Sequence, residues 1–364
     1  MKINQIIQTI EEWVPTAYAE DFDNVGLLVG DKNRSCTAAL ITHDVSLAVV
    51  EEAVASNCNL IICFHPIIFK GLTSLTGKNY VEQTVLCAIE NKIAIYALHT
   101  ALDNHENGIS YHLGQLLSLS KQRILLPQKN SLFHLTTYIP VHDKENLITA
   151  LHEAGAGEIG NYSHCSFSVV GKGRFLPLQK SDPTIGERGK ITDAKEEQVS
   201  VIVPKHAKNA VLNALKKAHP YETAAFELVA IENQHPNVGL GSIGELKHPL
   251  AVNDFLNHVK KALNIPYLRH SENGEKQIKT VAVLGGSGSF CIDAAKAQGA
   301  DALVTADLKY HDFFKAEKAL LLIDAGHYET EQFTKRIILE HLTKKIPNFA
   351  FTLSEVNTNP VKYF

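Results

Sequence analysis

The chain has 364 residues, of which 45% are apolar and 20% charged, enough for two or three domains with a large core. A formal charge of -4 leaves no basic excess to displace counterions, which argues against nucleic acid as a partner. No signal-like segment or membrane-length apolar run occurs, and six scattered cysteines without a CxxC pair form no disulfide framework, so a cytoplasmic protein is expected.

Ile3, Ile6, Ile7, Ile10 and Trp13 recur at helical spacing, which predicts an opening helix with one buried face. Asp23 to Gly30 reads as a turn leading into a short strand. Residues 38–42 read as a buried strand, after which Ser46 caps a helix striped by Val49, Val50, Ala53 and Val54. Another buried strand over 60–64, a helix over 81–90 and a strand over 93–98 follow. This alternation implies a largely parallel sheet covered by helices. From about 131 to 231 the pattern changes. Shorter alternating strands (135–139 and 199–203) and helices over 144–154 and 208–218 flank a stretch rich in glycine and charge, 171–195. That order predicts a small ferredoxin-like α+β unit. Polar linkers place it at 128–233, inserted between core halves 1–127 and 234–364. The core pattern resumes with a strand over 281–284, closed by Gly285-Gly286-Ser287-Gly288, and strands over 302–305 and 320–323 with helices after them. A long helix over about 329–345 and a last strand over 349–353 complete the α/β reading.

Metal-capable side chains stand just past several of these apolar runs. His65 follows the strand over 60–64; His99 follows the strand over 93–98, with Asp103 four residues on; His327 and Glu331 share one face of a helix start. Three imidazoles and two carboxylates at strand carboxyl ends suit a borderline divalent ion. A site built from both ends of the sequence implies that the ends fold together. His43, beside Asp44, ends a neighbouring strand and is a candidate for the same rim. Asp307 and Lys309 follow the strand over 302–305 as candidate substrate-binding residues, Lys309 to neutralise an anion. Gly285-Gly286-Ser287-Gly288-Ser289 could cradle a phosphate, although a tight turn is the stronger reading. His219-Pro220-Tyr221-Glu222 reads equally as a structural turn or a binding site.

Asp23-Asn24-Val25-Gly26-Leu27, His65-Pro66-Ile67-Ile68-Phe69-Lys70, His99-Thr100-Ala101-Leu102-Asp103, Gly299-Ala300-Asp301, Asp307-Leu308-Lys309-Tyr310-His311 and Asp324-Ala325-Gly326-His327-Tyr328-Glu329-Thr330-Glu331 together resemble the NIF-three-like family, whose members are also described as GTP cyclohydrolase 1 type 2 homologues or dinuclear metal-centre hexameric proteins. His219-Pro220-Tyr221-Glu222 is similar to the PII-like (CutA-like) insert of longer members. The resemblance implies a toroidal homohexamer with two divalent ions per subunit (Zn, Mn or Fe), and it puts the family's metal ligands on His65, His99, Asp103, His327 and Glu331. The chain departs at Phe64, where most members carry a second histidine, so the second ion loses a ligand. Cys63 and His43 are the nearest replacements. The implied chemistry is hydrolysis of a nucleotide or phosphoester, GTP ring opening among the options, by a water whose pKa two ions lower. The competing expectation is a non-catalytic scaffold or small-molecule sensor acting through the insert.

Overall fold

The computed structural model describes residues 1–272 and 277–362. Ile3, Ile6, Ile7 and Ile10 are buried along the helix Ile3–Trp13, packed over Ile41, Ile62 and Tyr96. The strands Ala39–Thr42, Leu60–Cys63 and Ala94–Ala97 are buried at every position. Uninterrupted apolar runs of this kind belong to parallel strands covered on both faces. The three lie side by side in a five-stranded sheet ordered Gly26–Val29, Ala94–Ala97, Leu60–Cys63, Ala39–Thr42, Phe351–Leu353. Only the first pairing is antiparallel. Phe351–Leu353 is the late strand, and it pairs in parallel with Ala39–Thr42, so the two ends of the sequence share one sheet.

The second sheet has six strands, ordered Arg269–His270, Leu321–Asp324, Ala302–Ala306, Ile278–Ser287, Gly239–Leu250, Ser120–Pro127. Its inner three are parallel and its flanks antiparallel. These sheets and their helices form one compact unit, Met1–Pro127 with Asn237–Phe364; Gln128–Pro236 forms the other. Where one helix over 329–345 was expected, there are two, His327–Glu331 and Thr334–Lys345. The Thr334 hydroxyl donates to the Glu331 carbonyl at 2.6 Å, offering that carbonyl a partner outside the helical ladder at the break.

The unit Gln128–Pro236 runs strand, helix, strand, strand, helix, strand: Leu132–Pro140, Lys144–Glu153, Phe167–Phe175, Thr192–Pro204, Lys208–Ala218, Phe226–Ala230. Its antiparallel sheet is ordered Phe167–Phe175, Thr192–Pro204, Leu132–Pro140, Phe226–Ala230. This is the ferredoxin-like topology. Leu135, Ile139, Val199 and Val201 face its two helices and form its core.

Among the described residues, no helix is long and apolar enough to cross a membrane.

Candidate metal centre

The parallel ladder of the five-stranded sheet does not stop where its strands stop. His65 N–H donates to the His43 carbonyl (3.0 Å), and His99 N–H to the Phe64 carbonyl (2.9 Å). This residual register brings His43, His65 and His99 to one carboxyl edge. The carboxyl edge of the six-stranded sheet supplies Asp307, His327 and Glu331, fixed in turn by Asp324. The Asp324 carboxylate accepts Leu308 N–H (3.0 Å) and Gly326 N–H (3.2 Å) and pairs with Arg269.

The two edges meet at Glu331. Its Oε2 lies 3.2 Å from His327 Nε2, 3.4 Å from His65 Nε2 and 3.5 Å from His43 Nε2. Yet that oxygen is fully buried and has no hydrogen bond of acceptable geometry. Three imidazole nitrogens converging on an orphaned carboxylate oxygen make a donor set that a cation satisfies better than the residues satisfy one another. His65, His327 and Glu331 form one such group with ligand atoms within 4.8 Å, and His43, Asp44 and His65 form another.

Each of three rings is also held from behind. Asp44 Oδ1 lies 2.7 Å from His65 Nδ1, Asp23 Oδ1 2.7 Å from His99 Nδ1, and Asp307 Oδ2 2.7 Å from His327 Nδ1. A carboxylate on Nδ1 fixes the ring and leaves Nε2 as the outward donor, the arrangement metal-ligating histidines generally show. Asp23 does more than that: its Oδ2 accepts Thr100 N–H (3.1 Å) and the Thr100 hydroxyl (2.5 Å). This clamp holds His99 at φ +32°, a left-handed conformation that a residue with a side chain adopts only when its surroundings impose it. Asp44 is braced too, because Thr358 of the carboxy-terminal tail donates to its Oδ2 at 2.8 Å. The tail is itself anchored by Glu52, which accepts the Ser354 hydroxyl and Glu355 N–H, and by Lys335 on the Ser354 carbonyl.

Charge is balanced internally by protons. Burial lowers His65, but Asp44 and Glu331 outweigh it and raise its pKa to about 10. Against the same opposition from burial, Glu331 and Asp307 raise His327 to about 9. Burial raises Glu331, but the close imidazoles of His327 and His65 hold it well below the carboxylate range. Burial and the nearby Glu331 charge push Asp103 far above that range. His43, buried and next to His65, is depressed to about 4 and stands neutral, as a ligand must.

The expected residues can now be placed. His65, His327 and Glu331 come together. His99 stands beside them, its ring centroid 5.2 Å from that of His65, and Asp103 is electrostatically linked to Glu331 and His65. Phe64 is fully buried between His43 and His99, with ring centroids 5.5 and 5.6 Å away, and occupies space a second imidazole would need. Cys63 does not replace it: the thiol is buried in the core and donates to the Tyr96 carbonyl at 3.3 Å. His43 is the residue that reaches the cluster.

Asp307 orients His327 and also lines the cavity that opens on the cluster. Lys309 is absent from this cavity of about 450 Å³, which lies between His43, His65, Asp307, His327 and Tyr328; Arg269 lines it. Lys309 instead starts the turn Tyr310–Ala316, its N–H donating to Asp312 at 3.0 Å. The glycine loop is no phosphate cradle. Gly286 N–H donates to the Thr330 hydroxyl at 3.0 Å, and a Cβ at Gly286 (φ +66°) would collide with the Glu331 carboxylate. The loop is glycine because Glu331 and His327 need that space.

The model of the Duf34/NIF3 (NGG1p interacting factor 3) family matches residues 1–360. A Bacillus subtilis protein named GTP cyclohydrolase 1 type 2 homolog is 36% identical over 372 residues, spanning 99% of this chain and 98% of its own. A Staphylococcus aureus protein of the same name is 34% identical, with both chains covered completely at 100%. Among solved structures, a Bacillus cereus protein related to NIF3 superposes with a TM-score of 0.81 at 32% identity, covering 100% of this chain and 99% of that one. A Staphylococcus aureus structure gives 0.78 at 30% identity over the same shares.

Proposed function

The chain belongs to the Duf34/NIF3 family, and from that premise we propose that it is a metal-dependent hydrolase acting on a nucleotide or phosphoester. The observation that carries this reading is the buried Glu331 Oε2 with three imidazole Nε2 atoms at 3.2 to 3.5 Å and no hydrogen bond. His65, His99, Asp103, His327 and Glu331 would hold a pair of divalent ions (Zn, Mn or Fe), with His43 offering a donor beside Phe64. When bound, such ions supply Lewis acidity and a water acidified into the neutral range.

The chain's own residues do the rest. Asp44, Asp23 and Asp307 hold the rings so that no reorganisation is needed when substrate arrives. Arg269 presents a cation to an anionic group entering the cavity. It is pre-set by Asp324 on one side and the Phe313 ring, 5.5 Å away, on another. The relatives' name makes GTP ring opening the first reaction to try. We further propose a cytoplasmic homohexamer, as the family resemblance implies.

The test is metal analysis of the purified protein together with a panel of nucleotides and phosphoesters. About two ions per chain, and turnover that Asp103→Ala abolishes while the oligomer persists, is the expected result. Metal-loaded protein that turns over nothing in the panel overturns the hydrolase reading. One observation favours a second reading, that of a metal-stabilised scaffold or sensor: Phe64 takes the place of a ligand. A count near one ion per chain would support it.

A further inference from the structure

The ferredoxin-like unit has its own cavity, of about 950 Å³, on the sheet face opposite its helices. Side chains alternate along a strand. Val199 and Val201 therefore face the helices, while Glu196 and Gln198 face the cavity, beside Gly171 and Val169 of the neighbouring strand. The turn His219-Pro220-Tyr221-Glu222 shapes its wall. His219 Nδ1 accepts Tyr221 N–H, and its Nε2 donates to the Tyr138 carbonyl at 2.8 Å, which sets both tyrosines at the cavity. The loop over 176–191 forms the roof, tied down by Asp182 N–H on Glu222 (2.8 Å) and the Thr184 hydroxyl on the Pro220 carbonyl (2.9 Å).

The floor has an unusual charge balance. Glu196 is 8% exposed, its carboxylate accepts the Tyr221 hydroxyl at 2.7 Å, and among the described residues it forms no ion pair. Lys172 and Arg174 reach the cavity rim, but both are committed to Asp193 at 2.6 Å. Gly173 is glycine because a Cβ there would strike the Glu196 carboxylate. A Cβ at Gly171, by contrast, would meet nothing within 4 Å and would project into the cavity. Around the acid stand the rings of Tyr138, Phe175 and Tyr221, the last two with centroids 6.4 Å apart.

A buried carboxylate without a counter-cation, walled by aromatic rings, is the chemistry that recognises ammonium groups. We propose that this cavity binds a small organic ammonium ion with an apolar body. The cation pairs with Glu196 and meets the ring faces, while the body fills the space against Val169, Leu176 and Ile185. The volume, about 950 Å³, lies within the range of small-molecule sites and leaves room for an apolar body larger than a single ring. The proposal is independent of the metal cluster and of the hydrolase reading.

Saturation-transfer NMR on the metal-loaded full chain tests it with four probes: benzylammonium, benzyltrimethylammonium, benzyl alcohol and benzoate. The quaternary ion cannot coordinate a metal, which removes binding at the cluster as an explanation. Both cations should bind, and the alcohol and benzoate should bind at least about tenfold more weakly. Glu196→Gln, which keeps the Tyr221 hydrogen bond, should weaken the cations about tenfold. Gly171→Val should abolish their binding with the thermal midpoint unchanged, and Glu331→Gln should leave it as in the wild type. Lys180 also lies on the rim, so benzoate binding as tightly as the cations would mark an anion site and overturn the proposal. So would silence from all four probes, or full cation binding in a folded Gly171→Val protein.

Discussion

The metal-candidate cluster and the cavity of the ferredoxin-like unit each bury a carboxylate, and they treat it in opposite ways. Glu331 faces three imidazoles, and three of the site's rings are each locked by an aspartate at 2.7 Å. Glu196 has one phenol for a partner and otherwise looks onto aromatic and aliphatic walls. The first arrangement fixes directions and so selects for coordination geometry. The second fixes little beyond charge and shape, under a loop held at a few points. Preorganisation by a polar scaffold and accommodation by a soft wall are thus both present in one chain, each with a sequence cost. The cluster needs aspartates far apart in sequence; the cavity needs glycines on one strand.

Breaking the first arrangement should have the largest effect. Glu331→Ala removes the oxygen on which three rings converge and should lower metal affinity by more than about 100-fold, read by competition against a chromogenic chelator. Retained affinity would show that the cluster does not hold metal through Glu331. Asp44→Asn keeps the shape but weakens the brace on His65, and a loss of about 10- to 100-fold is expected with the fold intact. Thr358→Val, one hydrogen bond further out, should give a smaller loss in the same direction, which Thr358→Ser should restore.

The contrast can also be sharpened by addition. Phe64→His should raise the number of ions bound per chain or tighten the weaker one, measured by elemental analysis after dialysis. Its metal-free form should melt below the wild type, because an imidazole replaces a fully buried phenyl ring. The smallest effect lies away from both sites. His341 stacks on Trp13, with centroids 4.0 Å apart, and burial followed by the charge of Lys345 depresses its pKa to about 4. An unfolded histidine titrates near 6.5, so between those values the unfolded chain binds the extra proton and stability falls as pH falls. His341→Phe keeps the stack and should flatten the pH dependence of the melting temperature across that window. His43 and His105, also depressed to about 4 chiefly by burial, leave a residual slope.

The buried strands Ala39–Thr42, Leu60–Cys63, Ala94–Ala97, Ala302–Ala306 and Leu321–Asp324 were readable because each is a short apolar run ending in a turn, whereas Ser120–Pro127, Phe167–Phe175 and Gly239–Leu250, which mix polar and apolar residues, were not. His65 and His99 were readable because they sit one residue past such runs, and His327 because it follows one by four. The aspartates that orient them were in plain view, Asp23 and Asp307 in the quoted motifs and Asp44 beside His43, but not their roles. Asp23 acts on a ring 76 residues away and Asp44 is braced from a residue 314 away, separations no local pattern encodes. The one available signal was chemical: an imidazole destined for a metal needs an acceptor on its second nitrogen, so each candidate histidine demanded a search for an aspartate. The expectation for Lys309, which is not among the residues lining the cavity at the cluster, rested on proximity alone. Proximity in sequence to a rim residue says nothing of where a long side chain goes once its backbone opens a turn. The glycine loop was read as a tight turn ahead of a phosphate cradle, but that Gly286 makes way for the Glu331 carboxylate was not legible, because glycine suits either purpose.

The pairing of Phe351–Leu353 with Ala39–Thr42, followed by Thr358 on Asp44, sets an order of events during synthesis. A ribosome delivers the first three histidines of the cluster long before His327, Glu331 and the threonine that steadies them. Nascent chains and products of premature termination therefore carry imidazoles without the closing half of the cage. A fragment that stops before residue 327 has neither the His327 ring nor the Glu331 oxygen at which the two sheet edges meet.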